Sequence, residues 1–352
     1  YRPLRPRDVL AILQETVPAD AESDRYGDGG VVTELEQETA ALLGKPAALF
    51  FPSGTMAQQV VLRIWAGRTG VRTVACHPTA HIELHEERGY AHLHGLVVRA
   101  VGSSQAPFGL SDLEDIHEPL GALLLELPQR EIGGWLPEWE DLQAQTTWAR
   151  ERGVPVHLDG ARLWESLPYY GRTPAEVAAL FDTVYVSFYK GLGGIAGAAL
   201  AGPEDVIAEA AVWRRRHGGT LPALWPYAAA GLRGLRERLP AMAEHLERAR
   251  EIAALVRDLP GVEVVVDPPQ TPLMHLRLRN DADGIARAAL ALAKERGWAV
   301  PFRSRPSESP RWRVVEVTIE AQAMEWPLDD VQDVVLRLAG AAGDAGADAG
   351  AA

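Results

Sequence analysis

The chain has 352 residues, of which 47% are hydrophobic and 24% are charged, a composition typical of a globular enzyme with a large core. Its formal net charge of -13 at pH 7 argues against nucleic acid or an anionic membrane as a partner. No apolar run reaches the roughly 18 residues of a transmembrane span. The single cysteine, Cys76, excludes an internal disulfide, and because no apolar signal segment leads the chain we expect a cytoplasmic protein.

Strand-like and helix-like segments alternate through the middle of the chain. Strands are predicted over 47–53, 121–128, 154–161, 182–191 and 195–202, and helices over 55–67, 137–153 and 174–181. This order predicts βαβ units, and therefore an α/β fold with a mostly parallel sheet covered by helices. Ligand sites in such sheets lie beyond the carboxyl ends of the strands.

The pattern changes after this alternating region. Residues 203–258 are helical in pattern, and a smaller α+β region follows. We predict an N-terminal arm over 1–25, a large domain over 26–240 and a small C-terminal domain over 241–338. The tail over 339–352 contains only Ala, Gly and Asp and is expected to be disordered.

Asp159 lies at the end of an apolar strand and is followed by Gly160, Ala161 and Arg162. A half-buried carboxylate needs a cationic partner, and one interpretation is a strand-end turn with an ion pair between Asp159 and Arg162. The other interpretation is that Asp159 pairs with the protonated nitrogen of a heterocycle, as enzymes that use pyridoxal phosphate require.

Lys190 lies at the end of the next apolar strand, before Gly191, Gly193 and Gly194. Taken alone, it is compatible with an ordinary loop lysine. One helix and one strand, however, fill the gap between Asp159 and Lys190, so both residues are expected at the same edge of the sheet on nearby strands. A lysine with a lowered pKa is nucleophilic and can form a Schiff base. The two residues together therefore predict a pyridoxal phosphate site.

Ser53, Gly54 and Thr55 form a turn between a predicted strand and a predicted helix. Free backbone N–H groups and the helix dipole at such a turn favour an anion, here the cofactor phosphate. The alternative is a plain N-cap by Ser53 or Thr55, which is common.

Five of the ten histidines lie between residues 77 and 95. His81 and His85 have the i, i+4 spacing of a zinc site. The other interpretations are a polar surface segment, or an imidazole that stacks on a cofactor ring. The single cysteine and the lack of an HExxH motif make zinc the least favoured of the three, and we predict no metal.

Six segments resemble, in order and spacing, the low-specificity threonine aldolase and β-eliminating lyase family of pyridoxal phosphate enzymes. They are "YGDGG…ELE" (26–36), "FFPSGTMAQ", "AHIELHEERG", "HLDGARLWE", "YKGLGG" and "VWRRRHGG" (212–219). The resemblance covers roughly residues 20–320. It implies the aspartate aminotransferase fold (fold type I), with a mostly parallel seven-stranded sheet, helices on both faces and a small C-terminal α+β domain. It also implies a homodimer or homotetramer with active sites at the dimer interface.

The resemblance further implies roles for single residues around the cofactor. Lys190 is the Schiff-base lysine, Asp159 binds the pyridine nitrogen, and His81 lies on the ring face; these three are the predicted catalytic residues, with His81 as the base or base relay. The remaining cofactor-binding residues implied by the family are Ser53, Gly54, Thr55, Arg162 and Ser187.

For the substrate, the resemblance implies that Arg162 and Arg313 hold the carboxylate and that Tyr26 lies near a site at the subunit interface. Gln129 stands near the position of the family histidine that contacts the substrate β-hydroxyl, and Tyr189 replaces a frequent serine. From the family resemblance we expect an aldolase that cleaves a threonine-like amino acid to glycine and an aldehyde. The alternatives are a β-eliminating lyase, transaldolase or racemase with the same cofactor, or a catalytically silent binding protein.

Overall fold

The computed structural model describes residues 5–300, 303–307, 309 and 311–340. Within this part, contacts divide the chain into two units. The larger unit contains Arg5–Glu131 and Leu136–Ala241, and the smaller unit contains Ile132–Trp135 and the described residues from Met242 onward. Residues 341–352 of the predicted disordered tail lie outside the described residues. No helix in the described ranges is long and apolar enough to cross a membrane.

The larger unit alternates helices and strands, as the sequence pattern predicts. Its strands are β1 (Ala47–Phe51), β2 (Thr73–Cys76), β3 (Val97–Ala100), β4 (Ala122–Glu126), β5 (Val156–Gly160), β6 (Thr183–Ser187) and β7 (Ala198–Gly202). Its α-helices are α1 (Pro6–Thr16), α2 (Gly30–Leu43), α3 (Gly54–Thr69), α4 (His81–Leu84), α5 (Gly89–His94), α6 (Leu110–Glu114), α7 (Trp139–Glu151), α8 (Leu163–Tyr170), α9 (Pro174–Ala178), α10 (Glu204–Arg216) and α11 (Trp225–Glu237).

The seven strands form one sheet in the order β1-β7-β6-β5-β4-β2-β3. Neighbours from β6 to β3 pair in parallel, whereas β7 is antiparallel to both β6 and β1. The chain between β6 and β7 is too short for the crossover of a dozen or more residues that parallel pairing needs. The predicted α/β class with a mostly parallel sheet is therefore confirmed, and the reversal of β7 follows from its short connection.

Helix α3 is the central helix of the larger unit, and its N-terminus faces the candidate site. Ser53 caps it by accepting a hydrogen bond from the N–H of Met56 at 3.3 Å, and Gly70 ends it in a left-handed conformation. Its side chains from Val60 to Ile64 include four that are fully buried against the sheet. A helix that is apolar on several faces is stabilised mainly by burying these side chains. Each Å² of apolar surface removed from water contributes about 25 cal/mol to the free energy of folding.

The smaller unit has its own antiparallel sheet, in the order β10-β11-β9-β8. The strands are β8 (Val262–Val264), β9 (Leu273–Leu278), β10 (Ser304–Pro306) and β11 (Arg313–Thr318), and the helices are α12 (Met242–Val256), α13 (Ala282–Arg296) and α14 (Leu328–Leu338). A separate apolar core is shared by this sheet and its helices. This matches the α+β pattern read from the C-terminal sequence.

Candidate active site

Two neighbouring parallel strands place Asp159 and Lys190 at one edge of the larger sheet. Asp159 lies on β5, directly opposite Tyr185 of β6. Strand β6 ends at Ser187, earlier than predicted, so Lys190 lies in the loop just beyond it. The charge of each residue alters the pKa of the other. The sheet therefore brings the two residues together at the edge where ligands bind in such folds.

The Lys190 amine has the environment of a nucleophile. Burial lowers its pKa, and the positive charge of Arg162 lowers it further, while Asp159 and Glu126 act in the opposite direction. No described residue accepts a hydrogen bond from Nζ, which lies 6.0 Å from the centre of the Tyr189 ring. A half-buried amine with a lowered pKa and no acceptor is available to react with a carbonyl group.

The Asp159 carboxylate is 1% exposed and, among the described residues, receives a hydrogen bond only from the Ala161 N–H, at 3.1 Å. Burial raises its pKa, although Lys190 and His81 partly oppose the effect. Arg162, which one interpretation of the sequence pairs with Asp159, forms an ion pair with Glu165. A buried carboxylate with so few donors is suited to a cationic ligand.

Glu126 is a second carboxylate beside Asp159, and the sequence reasoning missed it. It ends β4 directly opposite Asp159 on β5. Burial and the neighbouring Asp159 charge raise the pKa of Glu126 to about 7. Its oxygens accept hydrogen bonds from the backbone N–H groups of His81 and Arg130 and from the Gln129 amide. Glu126 could have been found from the sequence, because it ends an apolar strand in the same way as Asp159 does.

His81 begins helix α4 and is half-buried. Its Nδ1 lies 3.0 Å from Oε1 of Glu86, whose carboxylate is buried. Burial alone lowers the pKa of His81, but the hydrogen bond to Glu86 and the charge of Asp159 outweigh it, so that the net pKa is raised. Nε2 of His85 lies 2.8 Å from Oε1 of Glu131, and the ring centres of His81 and His85 lie 5.2 Å apart. In the described ranges, no group of three or more potential ligands could hold a metal ion.

The turn at 53–55 lies against strand β6. Ser53 serves as the N-cap, as the simpler interpretation proposed, and the first N–H groups of α3 have no acceptor within the helix. Gly54 packs so tightly that a Cβ there would lie 2.0 Å from Oη of Tyr185, the residue opposite Asp159. Because Gly54 has no side chain, the backbone at the start of α3 comes close to this edge of the sheet. An anion site built from backbone N–H groups requires such a close approach.

Ser187 and Gln129 lie on either side of this edge. Ser187 is buried at the end of β6, close to the phenol groups of Tyr185 and Tyr189. The Gln129 amide nitrogen donates to Oγ1 of Thr79 and to Glu126, both at 3.2 Å. These bonds fix the orientation of the Gln129 amide.

Arg162 and Glu165 form a buried ion pair at the start of helix α8. Nη1 of Arg162 donates to both carboxylate oxygens of Glu165, at 2.8 and 2.9 Å. Oε1 of Glu165 also accepts a hydrogen bond from the N–H of Gly191 at 3.2 Å. Glu165, like Glu86 and Glu126, was missed because a glutamate near a cation is usually a surface residue.

The roles of Tyr26 and Arg313 stay predictions. Tyr26 is 46% exposed, in a left-handed backbone conformation with φ of 59°, and its N–H donates to the carbonyl of Pro222. Arg313 belongs to the smaller unit, where its guanidinium donates to the side chain and carbonyl of Ser304. An exposed, strained tyrosine is compatible with a contact made outside this chain.

Comparison with known proteins finds relatives whose descriptions all name a threonine aldolase. A protein of Listeria monocytogenes, described provisionally as an L-allo-threonine aldolase, is 39% identical, with 96% of this chain and 94% of that chain covered and a TM-score of 0.90. A structure from Exiguobacterium, described provisionally as an aromatic amino acid β-eliminating lyase/threonine aldolase, has 39% identity, coverages of 97% and 96% and a TM-score of 0.90. The low specificity L-threonine aldolase of Escherichia coli K12 is 31% identical over 74% of this chain and 78% of its own length.

The family model described as beta-eliminating lyase matches residues 10–279, well over half of the chain. The six sequence motifs, the seven-stranded sheet and this match agree. The predicted resemblance is confirmed: the chain belongs to the β-eliminating lyase family, which includes the threonine aldolases it is similar to.

Proposed function

We propose that the protein is a pyridoxal-phosphate-dependent aldolase. It cleaves the Cα–Cβ bond of a β-hydroxy-α-amino acid, of the threonine or allo-threonine type, to glycine and an aldehyde. The observation that carries this proposal is the meeting of Lys190 and Asp159 at one sheet edge, beside the N-terminus of α3. Relatives described as L-threonine and L-allo-threonine aldolases support the substrate class.

The residues at this edge fit pyridoxal phosphate in three ways. Lys190 offers an amine with a lowered pKa for the aldehyde carbon. Asp159 offers a buried carboxylate with one donor, which suits a protonated pyridine nitrogen. The first turn of α3, with Ser53, Gly54 and Thr55, offers N–H groups for a phosphate. The chemistry that the cofactor supplies when bound is an electron sink for the bond that is broken.

Protein side chains carry out the remaining tasks. Arg162 binds the substrate carboxylate and so orients the bond to be cleaved. His81 accepts the proton of the β-hydroxyl at Nε2, since Nδ1 is held by Glu86. We propose that Gln129, whose amide nitrogen donates to Thr79 and Glu126, lies beside the β-oxygen. Buried walls such as Tyr185 and Ser187 exclude water.

A product assay tests the reaction. Purified protein supplied with pyridoxal phosphate is incubated separately with L-threonine, L-allo-threonine and phenylserine. We expect glycine and the matching aldehyde in equal amounts. Ammonia and a keto acid would instead identify the β-eliminating alternative, which the description of the Exiguobacterium relative also names, and would overturn the aldolase proposal.

A separate experiment tests the cofactor site. Borohydride reduction of the loaded protein, followed by peptide mapping, is expected to fix the cofactor on Lys190. Replacing Lys190 by Ala is expected to abolish this label and to lower the aldolase rate on the order of a thousandfold or more. The exposed Lys294 is the matched control, and Lys294→Ala is expected to change neither result. Label on another lysine contradicts the assignment.

We propose a homodimer or homotetramer, as the family resemblance implies, and a small amino-acid substrate in the cytoplasm. The exposed, strained Tyr26 supports a contact with a second copy. Light scattering on the purified protein measures the oligomeric state directly, and a monomer that retains full activity contradicts a shared site.

A further inference from the structure

Glu165 links two parts of the candidate site that are separate in sequence. One carboxylate receives hydrogen bonds from the Arg162 guanidinium on α8 and from the Gly191 N–H in the loop after β6. Both ends of this link carry proposed functional groups, because Arg162 is the carboxylate-binding residue and Gly191 directly follows Lys190. The Glu165 side chain is 3% exposed and that of Arg162 is 13% exposed.

The glycine after the lysine is required by this contact. A Cβ at position 191 would lie 2.5 Å from Oε1, 3.1 Å from Cγ and 3.2 Å from Cδ of Glu165. Any side chain there would push the loop away from the carboxylate. The glycine that follows Lys190 is therefore explained by the close approach of Glu165 to the loop after β6.

Stability alone gives little reason for this arrangement. A buried ion pair pays a desolvation penalty that often cancels its attraction, and an apolar pair of similar volume is frequently as stable. What a buried carboxylate provides is fixed geometry, because it holds a guanidinium and a backbone N–H at set positions. A shift of about 1 Å in a catalytic constellation is enough to lower a rate about a hundredfold.

We propose that Glu165 is a positioning residue, whose carboxylate holds the substrate-binding Arg162 and the lysine loop in one fixed relation. This inference rests on the proposed function of Arg162 and Lys190. Glu165 also offsets the charge of Arg162, which acts on Lys190. The other charged groups that act on the lysine are Asp159, Glu126 and Arg130, together with His81.

The test uses Glu165→Gln and Glu165→Ala, with Glu237→Gln as a control because Glu237 forms an exposed ion pair with Arg233. Glu165→Gln keeps the shape and removes the charge, so it covers the case in which Glu165→Ala does not fold. In the loaded enzyme we expect Glu165→Ala to raise the KM for the amino acid about tenfold and Glu165→Gln to raise it less, because Gln still accepts one of the bonds. The control is expected to match wild type.

The second measurement needs no cofactor. The cofactor-free protein is modified with an amine-directed reagent across pH, and the labelling of Lys190 is compared by mass spectrometry with that of exposed Lys294. In Glu165→Gln the uncompensated Arg162 charge is expected to move the labelling curve of Lys190 about half a pH unit or more lower. Unchanged KM and unchanged labelling in a folded Glu165→Gln protein overturn the inference. If wild type makes no glycine, the proposed function fails, while the labelling comparison still decides whether Glu165 acts on Lys190.

Discussion

Nδ1 of His81 lies 3.0 Å from Oε1 of the buried Glu86, and this pair sets the protonation of the imidazole. Because the carboxylate can only accept, Nδ1 carries the hydrogen and Nε2 is the atom available for proton transfer. The pair keeps the pKa of His81 above its ordinary value despite burial. An imidazole with a raised pKa is protonated over more of the acidic range, and it acts as a base only above that pKa.

The first prediction concerns Glu86→Gln. We expect kcat/KM to rise with pH through the pKa of His81, since the neutral imidazole is the base. Loss of the Glu86 charge lowers that pKa, so the acidic limb is expected to move about one pH unit lower. The measurement is the pH profile of glycine formation. Glu87→Gln, at the exposed neighbouring glutamate, is the control, and an equal shift in both variants would show that His81 is not the titrating base.

The second prediction concerns Asp159→Asn, which is expected to stabilise the cofactor-free protein while lowering the aldolase rate about a hundredfold. The folded pKa of Asp159 is raised above its unfolded value of about 4, so its ionisation costs stability as the pH rises from that value through the folded pKa. The gain in Tm of Asp159→Asn over wild type is therefore expected to grow with pH across this window.

Asp24→Asn is the contrast for this measurement. Asp24 is also buried, but it accepts hydrogen bonds from the N–H groups of Gly27, Leu224 and Trp225. Loss of these charge-assisted bonds is expected to lower Tm at neutral pH. A lower Tm for Asp159→Asn at neutral pH would contradict the assignment of Asp159 as a buried carboxylate with a single hydrogen-bond donor among the described residues.

The third prediction concerns Gly54→Ala at the start of α3. The new Cβ would overlap Oη of Tyr185, and strain of this kind costs about 1–3 kcal/mol. We expect weaker binding of pyridoxal phosphate, measured by titration of the cofactor-free protein, because the first turn of α3 must shift. Gly67→Ala in the same helix meets only the end of the flexible Arg63 side chain. That control is expected to bind normally and to gain up to about 1 kcal/mol from helix propensity.

The fourth prediction concerns Arg214, from the "VWRRRHGG" segment. Arg214 is 5% exposed, donates to the carbonyl of Phe50 at 2.7 Å and lies 4.0 Å from Glu36. Arg214→Leu removes the hydrogen bond to Phe50 and the cation beside the half-buried Glu36, so we expect a loss of about 3 kcal/mol in the free energy of unfolding, measured with urea. Arg236 forms exposed pairs with Glu34 and Glu38. Arg236→Leu is expected to cost less than about 1 kcal/mol, and equal losses would contradict the buried role of Arg214.

Much of the fold could be read from local patterns. Apolar segments that end at Asp159 and near Lys190 predict buried strands. A strand that is covered by helices on both faces is apolar along its length, and polar residues follow where it ends. Strands β2 and β3 were not predicted: β2 has four residues, and β3 is mostly exposed at the sheet edge. Lys190 was placed at a strand end, whereas β6 stops at Ser187, because strand ends depend on pairing with neighbours rather than on hydrophobicity.

The sequence by itself determined the family, through its six motifs, and the mostly parallel sheet, because strands that alternate with helices are joined by crossovers long enough for parallel pairing. It also predicted that Lys190 and Asp159 meet at one edge of that sheet. Only the tertiary structure decided how these residues are charged and held. Glu86 on His81, Glu126 beside Asp159 and Glu165 between Arg162 and Gly191 are contacts through space. Their effect depends on burial, which removes the water that would otherwise screen each charge, and burial belongs to the folded chain as a whole.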